Sequence, residues 1–306
     1  MSPGAEIPAV RYPNMGQTVL LVMVGLGLQV ATGATAFAIN SILDPDGPGD
    51  MSAVLNVWVL IPVLLVANGL TLALGLRGTR ETMPAFLRMR SFLPGLLPWI
   101  ILTSVGLAIV LNETDNCFLQ LIMLAMRLDK PPADLIDLST SPLGAALLAI
   151  LVAPLSEEYL FRGLILRGLL TRYSRAAAVV TSALAFGFIH GNLRQFVLAV
   201  AIGLVFGWWY SRTLSVAPGL VGHATFNTIA WGSAQLPDLS RALGLHTDHG
   251  AIVHEPWWFT IIGVALVAFG IWKFHRDAYV IGTDPSPPTV VPEPPLLGEP
   301  PVLSPN

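Results

Sequence analysis

Runs of about twenty apolar residues recur along this chain, and they limit its fold more than any other feature. A helix that crosses a bilayer needs about 20 mostly apolar residues. Eight stretches qualify: 16–39, 52–76, 92–112, 143–170, 176–192, 195–211, 214–234 and 257–274. The fifth and sixth are short, and His190-Gly191-Asn192 marks the turn between them. The fourth is long and interrupted by Pro154, where the helix is expected to bend or begin. Segment 117–128 (CFLQLIMLAMRL) is too short to span and is expected to lie at the interface or over the mouth of the bundle. The expected fold class is all-α, a polytopic membrane helical bundle of about eight transmembrane helices.

Composition agrees. Charged residues make up 11% of the chain, against about 25% in soluble domains, so most of the surface faces something other than water. A net charge of -3 with no basic run excludes nucleic acid as a partner. The single cysteine, Cys117, excludes an internal disulfide framework and offers no cysteine zinc site. The first apolar run exceeds the 7–15 residues of a signal-peptide core, so it reads as an anchor helix.

Basic residues fall in alternate connections. Arg11 precedes the first helix; Arg77, Arg80, Arg88 and Arg90 fill the second connection; Arg162, Arg167, Arg172 and Arg175 surround the fourth. Arg212, Lys273 and Arg276 continue the pattern, while the intervening loops are acidic or nearly neutral. The positive-inside rule then places both termini in the cytoplasm of a multi-pass cell-membrane protein. Residues 283–306 carry nine prolines and are expected to form a disordered cytoplasmic tail.

Ionisable residues inside spans are costly and usually face the bundle interior. Here they concentrate in the second half of the chain: Ser156-Glu157-Glu158-Tyr159-Leu160-Phe161-Arg162, Phe186-Gly187-Phe188-Ile189-His190, and His223-Ala224-Thr225-Phe226-Asn227. Glu158 and Arg162 are four apart, which suits an ion pair on one helix face. Glu157 lies about 100° around the helix and is free to point into a cavity. His223 and Asn227 share a face by the same spacing. Glu157, His190, His223 and Asn227 could therefore meet in one polar pocket, holding a base, a second proton carrier and hydrogen-bond donors. Amide hydrolysis needs those parts.

Each of these residues also has a blander reading. Glu158–Arg162 reads best as a structural ion pair, and a lone histidine in a bundle is more often a hydrogen-bonding group than a site. His246, His249 and His254 form a loop cluster that reads as solvated rather than metal-binding. Pro62, Pro94 and Pro98 read as kinks, and Trp208-Trp209 and Trp257-Trp258 as an interfacial belt. There is no His-Glu-x-x-His zinc motif and no Gly-x-Ser-Gly serine motif, and Gly47-Pro48-Gly49-Asp50 lies in a loop with no partner aspartate in a span.

The order Glu157-Glu158-x-x-x-Arg162, Phe186-x-x-x-His190, His223-x-x-x-Asn227 resembles the three-motif pattern of the CPBP family. That family includes the CAAX prenyl endopeptidase of the Rce type and bacterial immunity and peptide-processing proteins. The resemblance covers roughly residues 140–235 and implies a catalytic core over 142–235. It would follow N-terminal transmembrane helices with the interfacial segment (1–141), and precede a loop with the last helix (236–282) and the tail. It implies that Glu157 activates water with His190 while His223 and Asn227 stabilise the oxyanion. Glu158, Arg162 and Phe186 would support them. Glu157, His190 and His223 could also complete a zinc site with water; a metal-free mechanism is the preferred of the two.

The resulting expectation is a membrane-embedded endopeptidase acting on a membrane-associated peptide or protein. The alternative is a non-catalytic immunity or adaptor protein that binds a peptide or helix. A small transporter would carry inverted repeats, and none is visible.

Overall fold

The computed structural model describes residues 12–43, 55–79, 82–87, 94–128, 141–245 and 252–280. Of these, 88% are helical and none lies in a strand. Backbone N–H and C=O groups are thus satisfied within helices, as hydrocarbon requires. The elements are α1 (Met15–Leu43), α2 (Val57–Thr79), a short α3 (Met83–Leu87), α4 (Leu97–Met126) and α5 (Pro142–Leu170). They continue with α6 (Arg175–Phe188), α7 (Leu193–Thr213), α8 (Ala217–Gln235), α9 (Pro237–Leu243) and α10 (Trp257–Val280).

The chain is a polytopic helical membrane protein. Six helices are long and apolar enough to cross: α1, α2, α4 with its lead-in turn Pro94–Leu96, α5, α7 and α10. The two other expected spans form α6, with only 14 residues, and α8, which carries His223 and Asn227. Each buries one part against its neighbours: Ala178, Ser182, Ala183 and Phe186 on α6, and Pro218, Gly219, Gly222 and His223 on α8.

One expected element is corrected. Residues 117–126 are not a separate segment but the last turns of α4, a helix of 30 residues. The polar stretch Asn112-Glu113-Thr114-Asp115-Asn116 reads in sequence like a helix end. It stays helical because its polar face has partners: Asn112 donates to Gly244 O at 2.7 Å and Asn116 to Val253 O at 3.1 Å. Pro98, too, lies in the first turn of α4, where a missing N–H costs nothing, rather than at a kink. The expected tail, His246, His249 and Gly47–Asp50 lie outside the described residues.

Helix pairs α1–α2, α4–α10 and α6–α7 pack along their lengths, and α5 touches α2, α6, α7 and α8. Small residues permit the close crossings that membrane helices rely on. A Cβ on Gly106 of α4 would meet Gly263 O of α10 at 2.6 Å, and one on Gly203 of α7 would meet Ala183 Cα of α6 at 2.9 Å. The core gathers at this centre: Phe161, Phe186, Phe206, Trp209 and Phe274 are fully enclosed. Large apolar side chains such as Val30, Ile42, Ile261 and Val264 point outward from α1 and α10, as lipid contact allows.

α5 is not a uniform α-helix. Residues Leu147–Val152 and Tyr159–Leu166 are π-helical, separated by the α-helical turn Ala153–Glu158. Pro154 accounts for the first. It has no N–H to donate, and its ring crowds the carbonyl one turn earlier. The helix does not begin there; it continues and widens. Such wide turns collect at functional sites.

Candidate active site

The widening at Pro154 leaves one carbonyl without a donor. The N–H of Ala153 bonds to Leu148 O rather than to Ala149 O, and Pro154 has nothing to offer. Ala149 O is met instead from α8, by the side-chain amide of Asn227 at 2.7 Å. A backbone carbonyl in hydrocarbon must find such a partner. Asn227 thereby ties α8 to α5 just ahead of Pro154 and the two glutamates that follow it.

Glu157 and Glu158 diverge as their angular spacing requires. Glu158 is fully buried, and its Oε1 accepts from Arg162 Nη1 at 2.8 Å and from His223 Nδ1 at 3.1 Å. Its Oε2 has no hydrogen-bond partner and lies against the Cα of Gly219, where any Cβ would collide with it. Glu157 keeps 13% of its side chain exposed, and its Oε2 stands 3.9 Å from His223 Nε2. One imidazole therefore bridges the pair. The Nδ1–H donated to Glu158 fixes the ring and turns Nε2 toward Glu157.

Arg162 is equally enclosed. Its Nε and Nη2 have no hydrogen-bond partner, but the guanidinium lies 4.5 Å from the ring centre of Phe186 and 5.5 Å from that of Phe206. Aromatic faces replace water around the charge. Glu158 is the only carboxylate within bonding distance of it among the described residues.

Phe186 links the two histidines. Its ring stands edge-on to His190 at 5.1 Å and to His223 at 5.9 Å. His190 follows α6 in a turn, where Gly191 takes φ +70°, a conformation glycine adopts at no steric cost. Its Nδ1–H donates to Phe186 O at 2.8 Å, which leaves Nε2 for other partners.

The structure thus brings Glu157, Glu158, Arg162 and His223 into one contact network, with His190 joined to it through Phe186. Asn227 lies a turn beyond His223 with its amide engaged on Ala149 O. Sequence reasoning missed three features. Gly219 is one. The Ala149 carbonyl is another. The third is a polar ladder from the first two helices: Gln29 donates to Asn68 Oδ1 at 3.4 Å, and Asn68 donates to Ser156 Oγ at 3.1 Å, beside Glu157. Asn68, a buried amide in an otherwise apolar span, was the signal for it.

Donor geometry bears on a metal. Among the described residues, the trio of possible ligands whose atoms all lie within 4.8 Å of one another is Glu113, Cys117 and His254. Glu157, His190 and His223 do not form such a trio, so their present arrangement is not a ready zinc site.

The family-model match falls on the same segment. Residues 139–229 match the family model described as Type II CAAX prenyl endopeptidase Rce1-like. The "Putative membrane peptidase YdiL" of Bacillus subtilis (strain 168) is 31% identical over 78 residues, which cover 26% of this chain and 32% of that protein. The match thus spans about a third of the relative's length. No solved structure matches the chain.

Proposed function

We propose, on the match of residues 139–229 to the Rce1-like family model, that the chain is an intramembrane endopeptidase of the CPBP type in which Glu157 activates the hydrolytic water. The observation that carries this is the 3.9 Å between Glu157 Oε2 and His223 Nε2. That gap is too long for a hydrogen bond and fits one oxygen touching both groups at about 2.8 Å each.

The roles follow from the contacts. Glu157 takes a proton from water as the oxygen attacks the scissile carbonyl carbon. The carbonyl electrons move onto oxygen, and His223, carrying a proton on each ring nitrogen between the two glutamates, donates Nε2–H to that oxyanion together with the second amide hydrogen of Asn227. The C–N bond then breaks, and the departing amine receives the proton held by Glu157, with His190 Nε2 as the second carrier. Glu158 and Arg162 orient His223; Phe186 holds the two imidazoles at fixed spacing. The mechanism is metal-independent, a reading supported by the absence of Glu157, His190 and His223 from the groups of possible ligands that converge within 4.8 Å among the described residues. Were zinc held there, it would act as a Lewis acid on the carbonyl.

The substrate is a membrane-associated peptide or protein. Arg167, which follows Glu157 on α5 and leads into a basic connection, supports a reading in which Glu157 lies toward the side of the basic loops and the substrate tail enters from the cytoplasmic leaflet of the cell membrane. Both termini share that side. Nothing in the site requires a prenyl group.

The test uses the purified full chain in nanodiscs, peptides extracted from host membranes, and water enriched in oxygen-18. Wild type should produce new C-termini carrying the label, and Glu157→Gln should not. Peptides retained uncut by both proteins would sink the protease reading in favour of an adaptor or immunity protein.

A further inference from the structure

A second cluster of reactive side chains lies away from the glutamate–histidine site, where α4 ends against the segment leading into α10. Glu113 and Cys117 are one turn apart on α4, with Glu113 Oε1 3.7 Å from Cys117 Sγ. His254 arrives from a segment about 140 residues later, its Nδ1 2.7 Å from the same Oε1. Its Nε2 stands 3.0 Å from Gln120 Oε1, one turn further along α4. We propose that Glu113, Cys117 and His254 form a binding site for a divalent transition metal of the zinc class, which clamps α4 to the segment before α10.

The surroundings of these side chains are those of a built site. Oε2 of Glu113 is held by the backbone N–H of Glu255 at 2.9 Å and by Asn116 Nδ2 at 3.3 Å. Only Oε1 is left to face Cys117 and His254. The same asparagine donates to Val253 O at 3.1 Å, so the segment bearing His254 is fixed from the α4 side as well. Metal ligands depend on such outer partners to hold their orientation. Asn112 adds a bond to Gly244 O at 2.7 Å and one to Glu255 Oε1 at 3.0 Å.

The donor set selects the metal. One thiolate, one imidazole and one carboxylate suit zinc, whose bond lengths place tetrahedral ligand atoms roughly 3.4–3.6 Å apart. The observed separations of 3.7 and 2.7 Å bracket that spacing, so small side-chain rotations suffice. Cys117 and His254 are exposed, which leaves water the fourth position. Binding releases to solvent the thiol proton and the proton on His254 Nδ1, leaves Nε2–H on Gln120 Oε1, and replaces the His254–Glu113 hydrogen bond with two metal bonds.

Cys117 is the chain's single cysteine, and that makes the test direct. Cobalt(II) added to the purified full chain in detergent gives a thiolate-to-metal charge-transfer band only if Cys117 is a ligand. The band should appear at one equivalent, persist in Glu157→Ala, vanish in Cys117→Ser, and need at least tenfold more cobalt in His254→Ala and Glu113→Gln. Zinc should abolish it and should slow maleimide labelling of Cys117 at least tenfold. Absence of the band in wild type would overturn the proposal. So would an unchanged band in both His254→Ala and Glu113→Gln, since the thiol would then bind cobalt alone.

Discussion

Asn227 donates its side-chain amide to the carbonyl oxygen of Ala149 at 2.7 Å, and that oxygen is one that Pro154 has removed from the helical ladder. A proline in one transmembrane helix and an asparagine in another are thus complementary parts of one device. The proline widens α5 just ahead of Glu157, and the asparagine satisfies the carbonyl that the widening exposes.

The coupling can be measured. Asn227→Ala should cost about 1–3 kcal/mol, because it leaves a buried carbonyl unmet. A Pro154→Ala background restores a backbone N–H at that position, and the cost of Asn227→Ala should there fall by at least half. Equilibrium unfolding in mixed micelles gives both numbers. Equal costs in the two backgrounds would mean that the bond and the proline are independent.

Glu158 serves two partners with one oxygen, so stability and activity should separate. Glu158→Ala strands the Arg162 charge in the core and should destabilise the fold by about 3–5 kcal/mol. Replacing the pair together, with Glu158→Leu and Arg162→Met, should recover most of that loss. Peptide cleavage should stay depressed at least a hundredfold in the double variant, since His223 Nδ1 has lost its acceptor. Recovery of both properties together would remove Glu158 from the orientation of His223.

Gly219 is required by contact rather than by backbone conformation. A methyl group there collides with Glu158 Oε2, which is packed on every side. Gly219→Ala should cost about 1–3 kcal/mol and reduce turnover more than substrate affinity, because the displaced carboxylate takes His223 with it. Wild-type kcat in this variant would contradict the arrangement.

Outside the membrane, Tyr12 is held between Gly78 and Gly168 at the start of α1. Burial raises the pKa of its phenol above the usual value of 10.0. The folded state therefore disfavours the phenolate: Tyr12's contribution is intact below pH ~10 and is lost as pH rises through the folded pKa. Thermal scans should show wild type losing more stability between pH ~9 and pH ~11.5 than Tyr12→Phe. Parallel losses in the two proteins would mean that the phenol is solvated.

How far the sequence led depended on what each signal was made of. The apolar runs located α1, α2, α5, α7 and α10 because a span needs length and little else. The i,i+4 spacing paired Glu158 with Arg162 because both lie on one helix. The end of α4 was not legible because Asn112 and Asn116 find their partners in Gly244 and Val253, more than a hundred residues later. Pro154 announced a disturbance but not its form, which depends on Asn227 from α8. Likewise the sharing of Glu158 between Arg162 and His223, and the need for Gly219 beside it, arise only when α5 and α8 meet.

The central claim is that Glu157 performs chemistry on a peptide bond. It is tested most directly by comparing protein termini in host membranes carrying wild-type protein, Glu157→Ala, or none. The account predicts a set of termini present with wild type and absent from both other strains. Termini that persist with Glu157→Ala, while the deletion strain loses them, would contradict it.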